Sequence, residues 1–404
     1  MPPYFISIGD IIKDIKRQGA DGRMSKILLL KRDGYDREGI ASAIESIFNH
    51  FGGAGCFVKP GDKVLLKVNL VAGREPEQRV TTDPSVVHAV AKAVLDAGGH
   101  PVIADSPGID NFSKAAQKAG FTDVASKLGI PCIELVDPVP LTVAADTSFH
   151  KIEVARLALE SDVIINLPKM KTHAQMLLTL GVKNMFGCVV AQRKAEWHYK
   201  VGLKRDLFAS LLLDIWNGIR PAFTIIDGVI GMDGHGPTNG KPFSYGVIGA
   251  AQDALAMDFW LCKMMGLKLE EFPLWQAASK RNMSQCSPDS SDLAGDFPSS
   301  HLWQGVDIPQ LANLSVIPFL SKMPFREKLE QALTSRPVHR PNNCIYCGKC
   351  VAVCKADAID LKDKKLTFDY KKCIRCYCCH EMCPVDAIEF KDGWLMKILK
   401  LLGR

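Results

Sequence analysis

Eight cysteines near the C-terminus carry the plainest chemistry in this 404-residue chain. Cys344, Cys347, Cys350 and Cys354 follow the spacing C-x2-C-x2-C-x3-C. Cys373, Cys376, Cys379 and Cys383 repeat it 29 residues later, with Pro384 next. The surrounding text repeats too, CIYCGKCVAVCKADAIDL against CIRCYCCHEMCPVDAIEF. Three thiolates two residues apart on a tight loop can each take one iron of a cube, and the fourth points away. The pattern predicts two 4Fe-4S clusters and therefore one-electron transfer. A zinc ribbon would show two CxxC pairs, and a disulfide framework belongs to a secreted chain.

The duplicated run resembles the bacterial dicluster ferredoxin domain, in which the fourth cysteine of each run ligates the other cluster. On that pattern Cys344, Cys347, Cys350 and Cys383 hold one cluster, and Cys373, Cys376, Cys379 and Cys354 the other. Cys378 lies off the ligand register and is read as a non-ligand. Lys355 stands where the first run would ordinarily have proline.

Two or three domains fit within a chain of this length. Hydrophobic content of 47% and charged content of 23% are ordinary for a globular protein. No apolar run is long enough for a transmembrane helix, and the N-terminus does not read as a signal peptide. The crowded cysteines imply a reducing compartment, so a cytoplasmic location is expected. Cys56, Cys132, Cys188, Cys262 and Cys286 are scattered and read as buried or incidental. The formal charge is +6. Ligand thiolates add about −8 and oxidised cores about +4, so the loaded chain is near +2. That is a poor basis for nucleic-acid binding.

The elements that must position a site come from residues 26–260. Apolar runs at 26–32, 62–68, 100–104, 131–136, 161–167 and 222–227 read as strands. Helical spacing covers 38–51, 113–128 and about 206–219. Asp83 is a candidate N-cap with Pro84 at the first helical position, and Gly98-Gly99 end that helix. The alternation predicts an α/β domain with a largely parallel sheet and flanking helices, followed by a small C-terminal ferredoxin-like α+β domain. The expected organisation is an N-terminal extension (1–25), an α/β domain (26–320) with a Ser/Asp/Pro-rich loop at 285–301, and a connector (321–341). The ferredoxin domain (342–392) and an amphipathic tail (393–404) follow. The tail either touches a membrane surface or docks on the protein's own body.

In an open parallel sheet, ligands bind beyond the carboxyl ends of the strands. Those ends here carry Asn69, then Asp105-Ser106-Pro107-Gly108, then Lys169-Met170-Lys171-Thr172-His173, then Asp227 and a glycine-rich stretch through Asp233. Asp105 opens a strand–turn–helix junction whose amides suit a phosphate or carboxylate, or which is a plain helix cap. A sheet-edge lysine is an anion clamp, or a catalytic group if burial depresses its pKa, and His173 can move a proton near neutrality. Each is also readable as a solvated loop residue. Lys183 and Asn184 interrupt the apolar segment LLTLGVKNMFGCVV and need partners or a ligand if buried. The loop 228–242 either closes over a ligand or is a long surface turn. Neither GxGxxG nor GxxxxGK[ST] is present.

The runs TTDPSVVHAVAKAVLDAGGHPVIADSPG, NLPKMKTHAQMLLTLGVKNMFG and IIDGVIGMDGHGPTNGKP resemble the family called domain of unknown function 362, over roughly residues 26–265. The segment QDALAMD at 252–258 departs from it by lacking a proline between Asp253 and Asp258. The resemblance implies that Asp105, Lys169, Lys171, His173, Lys183, Asn184, Asp227 and Asp233 share one site, often alongside a ferredoxin module. It names no substrate. The expected activity is electron transfer between an external carrier protein and a small anionic substrate. Lys169, Lys171, His173 and Asp105 are the candidate catalytic groups. Asn69, Ser106, Gly108, Lys183, Asn184, Asp227 and Asp233 are the candidate binding groups. A non-catalytic carrier docked on a larger redox complex, and a non-redox enzyme with structural or sensing clusters, are the alternatives.

Overall fold

The computed structural model describes residues 26–309 apart from 145, 146, 150, 203, 284, 286–288, 290 and 291, together with 333 and 335–395. The N-terminal extension, most of the 321–341 connector, Cys286 and the tail beyond 395 lie outside the described residues.

The strands of the larger domain are β1 (Ile27–Lys31), β2 (Lys63–Lys67), β3 (His100–Asp105), β4 (Cys132–Glu134), β5 (Pro138–Pro140) and β6 (Glu153–Ala155). After them come β7 (Val163–Asn166), β8 (Lys169–His173), β9 (Leu177–Thr179), β10 (Phe223–Asp233), β11 (Lys241–Phe243), β12 (Val247–Ala251) and β13 (Leu293–Gly295). The main sheet runs β13-β1-β12-β10-β7-β2-β3-β4, with β8, β9 and β11 attached beside β10. Strands β10, β7, β2, β3 and β4 are mutually parallel, and β12 is antiparallel to both β10 and β1. The fold is thus α/β with a mostly parallel central sheet.

Side-chain alternation builds a core on each face. Val64 and Leu66 pack with the helices Arg37–His50, Pro84–Asp96 and Phe121–Leu128, while Leu65 packs with Arg205–Ile219 and Ala254–Met264. Asp83 caps Pro84–Asp96 by accepting the Ser85 amide, as its sequence position suggests.

Several local expectations change. The helix expected over 113–128 is two, Phe112–Lys118 and Phe121–Leu128, divided at Gly120 with φ +77°. KMKTH is not a strand-end loop but the wholly buried strand β8. The 228–242 stretch begins as strand, because β10 runs on to Asp233 before returning as β11. Gly231 lies so close to β8 that a Cβ there would sit 2.3 Å from the Met170 carbonyl oxygen, so it serves close packing rather than a hinge. Within 285–301, Leu293–Gly295 is an edge strand parallel to β1.

The C-terminal module shows its internal repeat. β14 (Arg336–His339) pairs with β17 (Ile388–Lys391), and β15 (Ile359–Lys362) with β16 (Lys365–Phe368). Short helices Lys349–Val353 and Cys378–Glu381 occupy corresponding places. The module is bonded to the larger domain. Arg74 Nη2 donates to Cys383 O at 3.0 Å, Thr238 Oγ1 to Glu381 O at 2.9 Å and Asn239 Nδ2 to His380 O at 2.8 Å. Lys349 pairs with Asp110, and Ala195 packs with Val353, Cys378 and Cys379. Among the described residues no helix is long and apolar enough to cross a membrane.

Candidate functional site

Two cavities in the C-terminal module sort the cysteines. One is walled by Cys344, Cys347, Cys350 and Cys383, and the other by Cys354, Cys373, Cys376 and Cys379, with Cys378 beside them. Cys354, the fourth cysteine of the first run, thus lines the cavity of the second run, and Cys383 that of the first. Burial raises the Cys350 thiol to about 11, with Cys347 and Cys383 adding to it. Burial likewise raises Cys373, with Cys376 and Cys354 adding. Bound iron reverses that preference by taking the thiolate. No described cysteine is in a disulfide. Among the described residues no three ligating side chains converge on a single ion, and a cube held at its corners by one thiolate per iron needs no such convergence. Donor type, number and grouping therefore fit one 4Fe-4S cluster in each cavity. Lys355, in place of the usual proline, donates to Gln192 Oε1 of the larger domain at 3.0 Å.

At the carboxyl edge of the sheet, Lys67 ends β2 and Asp105 ends β3. Their fully buried pair closes at 2.8 Å. Asp105 also accepts the amides of Leu70 at 2.6 Å and Ser106 at 2.7 Å, so its charge is held by three donors. Gly187 lies against this pair, and a Cβ there would come within 2.4 Å of Lys67 Nζ. Asn184 is a fixed brace. It accepts from Asn69 Nδ2 at 2.9 Å and donates to Asn166 Oδ1 at 2.8 Å.

Over this edge, between sheet and ferredoxin module, lies a cavity of about 100 Å³. Its sheet-side wall includes Asn69, Asp105, Ser106, Gly108, Lys183 and Asn184. Lys194 and His198, four apart on the helix Arg193–Val201, form another wall. The module supplies Cys378, Glu381 and Met382. Burial lowers the Lys183 amine, against the attraction of Glu381 and Cys378, and holds Lys194 at about 8. Lys194 Nζ donates to Ser106 O at 2.6 Å. Burial pushes His198 down to about 3. Burial alone would raise the Glu381 carboxyl, but His173, Lys183 and His198 outweigh it and bring it to about 2.

The residues expected to share one site are divided. Asn69, Asp105, Ser106, Gly108, Lys183 and Asn184 meet at the cavity; Lys169, Lys171, His173, Asp227 and Asp233 do not line it. Lys169 pairs with Asp227 at 2.7 Å and donates to Tyr35 Oη at 2.6 Å, a closed ion pair between β8 and β10. Lys171 donates to Asn69 Oδ1 and Val80 O, both at 2.7 Å, one layer behind the cavity. Burial, then Lys183 and Lys169, depress it well below the lysine range. His173 Nδ1 accepts the amides of Gln175 and Met176, which places the proton on Nε2. That nitrogen lies 3.3 Å from Glu381 Oε1, out of line for a hydrogen bond. Burial holds His173 at about 4. Asp233 accepts the Asp307 amide at 3.0 Å.

Asp253 and Asp258 are structural. Asp253 caps the helix Ala254–Met264, and Asp258 accepts the amides of Gly181 and Val182.

Sequence reasoning missed Lys67, Lys194, His198 and Glu381. Lys67 was visible as a charge within the apolar run DKVLLKV, and Lys194 and His198 as a helical i, i+4 pair. Glu381 sits between two cluster ligands, and nothing local signals that it faces another domain.

A family model described as domain of unknown function (DUF362) matches residues 64–263, and one described as 4Fe-4S dicluster domain matches 330–387. The thylakoid-associated protein sll1697 of Synechocystis sp. is 35% identical over 279 residues, covering 69% of this chain and 84% of that protein. The solved lactate racemase apoprotein of Thermoanaerobacterium thermosaccharolyticum aligns at 11% identity with a TM-score of 0.37, over 57% of this chain and 55% of the racemase chain. The chain belongs to the DUF362 family and carries a C-terminal 4Fe-4S dicluster domain, which gives it an iron–sulfur electron-transfer role.

Proposed function

We propose that the protein passes single electrons between an external carrier protein and a small anion held between the sheet edge and the ferredoxin module. One observation carries this reading. Ala195, Val353, Lys355 and Cys378 wall both the ligand cavity and the cavity of Cys354, Cys373, Cys376 and Cys379. The cavity of Cys344, Cys347, Cys350 and Cys383 shares no wall with the ligand cavity, and Cys347 and Ile345 beside it are exposed. That makes an outer end for the carrier and an inner end for the anion.

When bound, the clusters supply one-electron steps. Lys183 and Lys194 hold the anion, the former with an amine that makes no hydrogen bond or ion pair to a described residue. Lys194, near 8, is the group on the wall able to hold or release a proton close to neutrality. Asp105 orients Lys67 and the Ser106 turn. Lys169, Lys171 and His173 support the edge from behind. The same reading places the protein in the cytoplasm, because thiolates that ligate iron call for a reducing compartment.

The test is native mass spectrometry on protein purified without oxygen, for wild type and for Lys183→Ala/Lys194→Ala. The expected result is a bound small anion on the wild type that the variant loses while keeping both clusters. A cluster-loaded wild type with no small ligand, whose electron exchange with a carrier is unchanged in the variant, would leave a plain electron carrier instead.

A further inference from the structure

The ligand cavity presents more than cations. Glu381 is only 9% exposed and His198 only 4%, yet both face the cavity. Among the described residues no hydrogen bond satisfies the Glu381 carboxylate: Oε1 has only His173 Nε2, 3.3 Å away and out of line. His198 Nδ1 is likewise unpartnered. Buried polar atoms are ordinarily satisfied, so two orphans among the residues lining one cavity point to what the cavity takes.

A carboxylate only accepts, and a lysine ammonium only donates. An anion that satisfies Lys183 and Lys194 with its oxygens but has no hydrogen to offer would set a lone pair against Glu381, with like charges facing. An anion with an O–H or N–H beside its charged group completes both walls at once. We propose that the cavity selects small oxyanions that carry their own hydrogen-bond donor, with the anionic oxygens on Lys183 and Lys194 and the donor on Glu381. This rests on the anion-binding reading above and names the chemical class within it. A site built to bond a ligand hydroxyl rejects the analogue lacking it far more strongly than an apolar pocket rejects a change of size, because the buried partner is then left unpaired.

Inorganic phosphate and sulfate are tetrahedral oxyanions of similar size. At neutral pH every phosphate species keeps at least one O–H, and sulfate has none. Calorimetric titration of the anaerobically purified, cluster-loaded protein is expected to show phosphate bound at least about 100-fold more tightly than sulfate. Glu381→Gln, which replaces an acceptor-only group by one with an amide N–H, is expected to bring the two within roughly threefold. Equal affinities in the wild type, or a preference that survives Glu381→Gln, would overturn the proposal while leaving the anion site standing. Binding of neither ion would remove the anion reading and this one with it. Glu381 lies between two ligands, so iron content is measured on the variant. If iron is lost, the wild-type comparison of glycolate with acetate replaces it, and equal binding there overturns the proposal.

Discussion

Replacing Lys67 by methionine isolates the charge that organises the sheet edge. Lys67 Nζ pairs with Asp105 at 2.8 Å and donates to Val68 O at 2.7 Å, with the side chain wholly buried. Methionine keeps the length and apolar bulk of the stem, so packing changes little and the loss is electrostatic. Removing one partner of a buried ion pair costs about 3–5 kcal/mol. Asp105 would still accept the Leu70 and Ser106 amides, which places this case at the lower end, about 3 kcal/mol. At about 2–4 °C per kcal/mol, the thermal midpoint of the α/β domain should fall by roughly 6–12 °C. Circular dichroism melts under exclusion of oxygen read it directly. The Lys67→Met/Asp105→Asn double variant should lose less than the sum of the two singles, by at least about 1 kcal/mol. A midpoint unmoved by Lys67→Met, or strict additivity in the cycle, would refute the reasoning.

Three further outcomes follow from the geometry. Burial holds Lys194 at about 8, so its charge is present below that pH and lost above it. Glycolate affinity should fall as pH rises through about 8, and a fall placed instead at the ordinary lysine value of about 10.4 would contradict it. The folded His173 takes a proton only near 4, whereas the unfolded imidazole does so near 6.5. The unfolded state therefore gains protons first, and stability should drop as pH falls from about 6.5 to 4, by on the order of 3 kcal/mol at most; melts of His173→Gln across that window should lose this slope. Cys354→Ala should take iron from about eight atoms per chain to about four by emptying the inner cavity alone, and electron paramagnetic resonance should lose the magnetic coupling between clusters. A full complement of iron in that variant would break the crossed assignment.

Much of the fold is legible because its strands are short apolar runs closed by caps and glycines. Val64, Leu65 and Leu66 are all buried by having a helical layer on each face, and such strands read as unbroken hydrophobic text. KMKTH does not, since two lysines and a histidine are buried there only with distant help. Lys169 needs Asp227, Lys171 needs Asn69, and His173 faces Glu381. No window around residue 170 contains those partners. The same reason limited the site. Asn69, Asp105, Ser106 and Lys183 stood out as polar groups at strand ends or in apolar surroundings. Lys169 and Asp227 stood out equally, and only the pairing of β8 with β10 shows that they spend their charges on each other.

Glu381 and Met382 fall in the three unspecified positions between Cys379 and Cys383, where a ferredoxin on its own would accept almost any residue that fits the turn. Here Glu381 and Met382 face a cavity shared with the larger domain, and the carbonyls of Glu381 and His380 accept from Thr238 and Asn239. The iron-binding segment is therefore not an interchangeable cassette. A graft of another two-cluster ferredoxin onto residues 26–309 would restore the metal and the wire but replace one wall of the pocket. In a chain built this way, variable letters inside a metal motif are a record of what the metal module is joined to.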